Sequence, residues 1–391
     1  MSILKKISLG DKRVFFAAVA LLIYGSLMIA SAEMGNNAGD ASYLTGILIR
    51  QLIYAIVGFI AYIFLANFPV QNLRTALAWI VYFGIAAALI ACRLFGQING
   101  AYAWIPLGAG ATIQPSEFAK IFMIVFACRI LGKDRGENNM KRFYQYAGAA
   151  VFYTFIILII QHDLGSAVVL FVMSYCMAML APYKELRKIR SYMTILVLAV
   201  VGIALIALSP PVTEILKRHA DNYMVGRFLA AADPFLYQYD NGYHIIMSLV
   251  SFANGGLFGL GYGNSIHKYM NFPNPSNDFI LPVIVEELGI VGFIVLVLLY
   301  TIMLYPIISA SLRAKRIVSK MVLLGVFMYF ILHFILNVGG VSGLIPLTGV
   351  PLLMISSGGS SLVASMAGLG LAQNELMRVR KENDADHSGE V

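Results

Sequence analysis

The chain has 391 residues, 59% of them hydrophobic and 12% charged, with a mean hydropathy of +0.78 and a formal charge of +8. A soluble domain carries roughly twice that charged fraction. A globular protein with one large core is therefore excluded, and an all-α polytopic membrane protein is expected. The positive charges sit in short clusters between apolar runs, which marks topology and not a nucleic-acid-binding face.

The basic N-terminal stretch MSILKKISLGDKR leads into an apolar run that no small-residue cleavage site ends, so the run reads as a retained helix. A span needs about 20 apolar residues. Ten stretches qualify: 14–32, 47–66, 76–95, 116–132, 146–160, 164–182, 191–209, 279–308, 318–338 and 355–376. Lys5, Lys6, Lys12 and Arg13 precede the first. Lys133, Arg135, Lys141 and Arg142 follow the fourth, and Lys184, Arg187, Lys188 and Arg190 the sixth. Arg313, Lys315, Arg316 and Lys320 follow the eighth, and Arg378, Arg380 and Lys381 the tenth. If all ten stretches cross, every cluster falls on one side and both termini are cytoplasmic. The alternate loops 33–46, 96–115 and 340–354 are nearly free of Lys and Arg. The whole chain, 1–391, reads as a single transmembrane domain. Residues 210–278 form one large extracytoplasmic loop between helices 7 and 8, with short interfacial helices expected in it. The polar tail 377–391 is expected to be cytoplasmic and frayed. Cys92, Cys128 and Cys176 lie in apolar runs without metal-ligand or CxxC spacing and read as buried thiols.

Several constellations carry possible chemistry. In GAYAWIPLGAGATIQPSEFAK, Pro115, Ser116 and Glu117 start a helix, and Glu117 shares a face with Lys120 three residues on. The two can pair with each other, or Lys120 can contact a substrate such as a phosphate. Trp104, just before them, is either an interfacial anchor or an aromatic platform for a sugar or prenyl chain. Gln161, His162 and Asp163 make a tight outer turn in which Asp163 suits an N-cap. No Cys/His set accompanies His162, so a catalytic zinc site is not indicated. Arg227 and Lys268 are the outer cations best placed to meet an anion near Asp278. The glycines of GGLFGLGYG, residues 255–263, suit either a tight interfacial turn or close approach to phosphate. Asn337 to Ser361 is Pro- and Gly-broken and reads as re-entrant backbone, or as small-residue helix packing around SSGGSS.

The stretch Phe272 to Gly289, FPNPSNDFILPVIVEELG, draws these together. Asp278 stands at the mouth of a helix, either as its N-cap, with Asn277 as a rival, or as a catalytic acid–base group. Glu286 and Glu287 lie roughly 12 Å deeper at the rise of an α-helix. They cannot both face lipid, so at least one lines a cavity or pairs with a base.

The blocks GAYAWIPLG, QPSEFAK, QHDLGSA, DPF with GYH, NDFILPVIVEELG and PLTGVPLLMISSGGSS together resemble the SEDS family of shape, elongation, division and sporulation proteins. That resemblance implies ten transmembrane helices in the bacterial cytoplasmic membrane and peptidoglycan glycosyltransferase activity on lipid II. It maps the family's acidic residue before this helix start onto Asp278, as general base in an inverting transfer. It maps the family's tryptophan onto Trp104 and its SEFAK pair onto Glu117 and Lys120. The leaving pyrophosphate needs cations, for which Arg227, Lys268 and Lys120 are candidates alongside a divalent ion such as Mg or Mn. No cofactor ligand set is visible in the sequence. The implied partner is a class B penicillin-binding protein, a transpeptidase. Ser276, His244, Leu353, Met354 and Ser357 depart from the family pattern, and the chain is not assigned among elongation, division and sporulation. The alternative function is a lipid II flippase, in which the deep charges Glu286, Glu287 and Lys120 would line the path.

Overall fold

The computed structural model describes residues 10–388 apart from 36–40, 99, 109–110, 133–137, 208, 218–222, 240 and 271–274. The basic residues Lys5, Lys6, Lys133 and Arg135, the residues 272–274 ahead of Asp278, and the last three tail residues lie outside the described set. The chain is a helical bundle. In order, α1 is Lys12–Glu33, α2 Ala41–Ala66, α3 Thr75–Ala91, α4 Pro115–Leu131, α5 Asn139–Phe155, α6 Leu164–Met179 and α7 Arg187–Ala207. Then come α8, Pro210–Leu216; α9, Tyr223–Ala232; α10, Asn241–Gly255; α11, Ile280–Arg313; α12, Ile317–Val341; and α13, Gly359–Ser388. A small antiparallel hairpin, β1 Ile105–Gly108 and β2 Ala111–Ile113, precedes α4.

Each of the ten apolar stretches falls on a helix. Among the described residues, six helices are long and apolar enough to cross a membrane: Lys12–Glu33, Ser42–Ala66, Thr75–Phe95, Asn139–Ile160, Ile280–Arg313 and Ile317–Val341. The protein is therefore a multi-pass membrane protein. The outward faces of α2, α3, α7 and α11 carry exposed large apolar side chains such as Ile60, Ile80, Leu198 and Leu298, as a surface solvated by lipid requires.

Local sequence sets the helix ends. Asp11 accepts from the Arg13 N–H at 2.9 Å and caps α1. Pro115 occupies the first turn of α4. Asp163 accepts from the Ser166 N–H at 2.9 Å and caps α6, as its spacing predicts. The turn between α5 and α6 is as tight as expected, with His162 at φ 59°. The core of the bundle is α4, packed against α3, α5, α6, α12 and α13, while α2 lies along α13 and α11 lies along α1 and α12.

Three findings refine the sequence reading. The eighth stretch is not one continuous helix: α11 breaks at Gly289, with φ 67° and ψ −167°. Residues 256–261 pair with the break through backbone. Leu260 and Gly261 N–H groups donate to the Glu286 and Glu287 carbonyls, and Ile290 and Val291 N–H groups donate to Gly256 and Leu257. Side chains are impossible at that contact. A Cβ at Gly259 would lie 2.1 Å from the Glu287 carbonyl oxygen, and one at Gly289 would lie 2.3 Å from that of Leu257. This is the work of GGLFGLGYG: it supplies the hydrogen bonds that a broken helix in a bilayer must find inside the protein. Second, the described part of 210–278 is built from the expected short helices and turns, and α10 docks on α11. Third, most of the tail is helical. The helix α13 continues to Ser388, tied by an ion pair between Glu382 and Arg316 at 2.7 Å.

Candidate functional site

A cavity of about 600 Å³ opens at the start of α11. Asp278, Arg227, Trp104, His244, Asp163 and Arg50 contribute to its wall, with Thr348, Gly349, Pro351, Ser357 and Gly358 from the irregular segment between α12 and α13, and Gly359 to Ser361 from the first turn of α13. That segment is thus non-helical backbone beside a cavity, and the small residues that follow it also pack: a Cβ on Gly359, the first residue of α13, would meet the Tyr54 ring at 2.7 Å. Both readings of SSGGSS hold.

Asp278 is held by its backbone. The Asn337 side-chain amide, on α12, donates to the Asp278 carbonyl at 2.9 Å and to the Val350 carbonyl at 2.8 Å. Its neighbours are fixed likewise. The Ser356 hydroxyl donates to the Asn277 carbonyl at 2.7 Å, and the Ser357 N–H donates to the Ser276 carbonyl at 2.7 Å. Neither Asp278 nor Asn277 caps α11, because the N-cap is Phe279, without a side-chain hydrogen bond. The carboxylate is left to the cavity. Burial pushes its pKa up to about 7, with Arg227 opposing the shift and Asp163 adding to it. A carboxyl group poised near neutrality can accept a proton from a substrate hydroxyl.

Arg227 comes from α9, and its guanidinium donates to the Leu347 carbonyl at 3.0 Å. Gly349, at φ 68°, lies between it and the acid. A Cβ there would sit 3.5 Å from Asp278 Oδ2 and 3.8 Å from Arg227 Nη1. A carboxyl group and a guanidinium therefore border one small space. Trp104 lines the same cavity and is half-buried. Asp163 also accepts from Gln114 Nε2 at 3.1 Å, linking the α6 cap to the start of α4. Among the described residues, no group of three or more His, Cys, Asp or Glu is gathered for a metal ion. Asp163 and Asp278 are the carboxylates a divalent cation would meet in the cavity.

The remaining sequence candidates lie elsewhere. Glu117 and Lys120 form a buried pair at 2.6 Å, with Tyr329 donating to Glu117 at 2.7 Å and His333 Nε2 3.1 Å from the Lys120 ammonium. Lys268 binds Glu287 at 2.8 Å and the Ser31 hydroxyl at 3.0 Å. Glu286 meets His267 Nδ1 at 2.6 Å and the Ser265 hydroxyl. Glu286 and Glu287 thus find their partners in the loop before Asp278 and, through Ser31, on α1. None of these five residues lines the cavity. Conversely, Arg50 and His244 are cavity residues that sequence reasoning passed over. Arg50 carries a signal that could have found it, a lone cation in the apolar run of α2.

A family model described as "cell cycle protein", covering FtsW, RodA and SpoVE, matches residues 12–383. Stage V sporulation protein E of Bacillus subtilis (strain 168) is 30% identical over 369 residues, covering 93% of this chain and 96% of that protein. A probable peptidoglycan glycosyltransferase FtsW of the same organism is 30% identical over 376 residues, 95% of this chain and 91% of that one. Among solved structures, a chain of a peptidoglycan synthase complex coordinating polymerization and crosslinking superposes with a TM-score of 0.66. It is 24% identical, and the match covers 95% of this chain and 98% of that one. The rod shape determining protein RodA of Thermus thermophilus gives a TM-score of 0.58 at 23% identity, covering 94% and 97%. These two likenesses show the fold.

Proposed function

We infer that this chain, which belongs to the FtsW/RodA/SpoVE family of cell cycle proteins, is a peptidoglycan glycosyltransferase that polymerises lipid II into glycan strands. The activity follows from its relatives of about 30% identity over nearly their whole length. The observation that carries the mechanism is the carboxylate of Asp278, unused as a helix cap and facing a cavity shared with Arg227 and Trp104.

In this reading Asp278 takes the proton from the acceptor sugar hydroxyl while that oxygen bonds to the donor's anomeric carbon. The anomeric bond to pyrophosphate breaks, and its electron pair leaves on the phosphate oxygen. One displacement inverts the carbon, so a single base suffices and a second nearby carboxylate nucleophile is not required. Arg227 and Arg50 supply positive charge for the leaving pyrophosphate. Trp104 offers a face for a sugar or the lipid chain, and binding both lipids in one groove supplies orientation. We assign Glu117, Lys120, Lys268, Glu286 and Glu287 to the scaffold, since each is held in a buried pair. A flippase reading draws less support, because its translocation path would run through charges that these pairs already neutralise.

The proposed topology has ten crossings with both termini cytoplasmic. Residues 210–278 are the outer loop, 377–391 the inner tail, and 1–391 one domain of the bacterial cytoplasmic membrane. The cation clusters all on one side support it. A class B penicillin-binding protein is the proposed partner; a structural neighbour belongs to a synthase complex that polymerises and crosslinks.

The test is purified protein with lipid II, with and without a transpeptidase partner, read as glycan polymer on a gel. Wild type is expected to polymerise, and Asp278→Asn to lose about 10²-fold or more. The Asn variant should unfold at the same or a higher temperature, since burial disfavours the ionised carboxylate it removes. Equal polymer from both proteins sinks the base assignment. Adding Mg or Mn to the same assay tests the expected divalent cation.

A further inference from the structure

At the other end of α11 lies a second cavity, of about 570 Å³, which the proposed reaction does not use. Arg13, Ser309, Arg313 and Arg380 line it, with Asp11 and Asp384 as its acids. Arg13 is already matched: its Nη2 and Nε lie 2.7 and 3.1 Å from the Asp11 carboxylate. Arg313 is steered by its own helix, donating to the Ser309 carbonyl at 3.3 Å and to the Ser309 hydroxyl. Neither bond neutralises the guanidinium. Three guanidinium groups therefore face two carboxylates, leaving the wall net positive.

The outer face of α11 leads into this cavity. Ile294, Leu298, Ile302 and Tyr305 follow one another at helical spacing and are between 46% and 61% exposed. Ser309 and Arg313 continue the same row. Read along the helix, the face passes from aliphatic to aromatic to hydroxyl to cation, the polarity profile of an acyl chain joined to a phosphate. Basic pockets between membrane helices at the side rich in Lys and Arg are suited to anionic lipid headgroups. We propose that this cavity binds the phosphate headgroup of an anionic phospholipid, with an acyl chain lying along Leu298 and Ile302.

The experiment is native mass spectrometry of the detergent-purified full chain with phosphatidylglycerol or phosphatidylcholine added. Wild type should retain phosphatidylglycerol about tenfold more strongly than phosphatidylcholine. The double variant Arg313→Gln, Arg380→Gln should lose that preference, whereas Lys184→Gln with Lys188→Gln should keep it. All four side chains lie outside the core, and an unchanged unfolding temperature checks the fold. Leu298→Gln, which alters no charge, should also weaken retention of phosphatidylglycerol. Undiminished preference in the Arg313/Arg380 variant overturns the proposal. So does displacement of the lipid by millimolar inorganic phosphate with no effect of Leu298→Gln, which would make the cavity a free-anion site.

Discussion

Asp278 and the pair Glu286–Glu287 belong to one short stretch of chain, yet the fold treats them oppositely. Around the two glutamates the loop 256–268 closes completely, with Lys268, His267, Ser265 and Ser31 all turned onto the carboxylates. Around Asp278 the protein fixes the backbone and leaves the carboxyl group facing a cavity. The difference teaches how to sort charges in a membrane protein. A buried ionised group whose partners satisfy it is part of the scaffold, and one held at the backbone but exposed to a cavity is available for chemistry.

The comparison breaks most sharply at Lys268. Removing it strands Glu287, so Lys268→Ala should cost about 3–5 kcal/mol, measured as a fall in unfolding temperature. Lys268→Met combined with Glu287→Leu should recover most of that stability and retain polymerase activity. A stable but inactive double variant would move the glutamate cluster into the chemistry. Next in size is Gly259→Ala, whose Cβ would lie 2.1 Å from a backbone oxygen at a residue with φ 77°. A loss of about 2 kcal/mol or more is expected, with the helix break at Gly289 disturbed. Proteolysis of the loop would report it.

Asn337 sharpens the other side. Asn337→Ala leaves the Asp278 and Val350 carbonyls without their donor, which costs about 1–3 kcal/mol. Because Asp278 would then be less well placed, kcat should fall more than KM rises. The smallest effect is that of pH. With the Asp278 pKa pushed up to about 7, the base is ionised above that value and protonated below it. The rate should be flat above about pH 7 and fall about tenfold for each unit below. A profile flat down to pH 5 would remove Asp278 as the titrating base.

Much of this was legible in the chain. Runs of about 20 apolar residues name the helices because a bilayer admits little else, and Asp163 and Pro115 announce helix starts through local chemistry. Glu117 and Lys120 pair because three residues on a helix put them on one face. Asp278 was legible as an expensive acid at a helix mouth, but not as an uncapping one, since capping depends on a few degrees of backbone.

The partners of Lys268 and Glu286 could not be read. They depend on a loop folding back onto a break in α11, and many loop conformations share one composition. The same holds for Arg50 and His244, which reach the cavity, and for Asn337, which holds the Asp278 backbone, all from helices distant in sequence. Sequence by itself determined where helices form and which charges need an explanation, because hydropathy and capping act over a few residues. Only the tertiary structure decided which charges are neutralised and which face the cavity. That outcome rests on side chains brought together from opposite ends of the chain, and on close backbone contacts that only glycine permits.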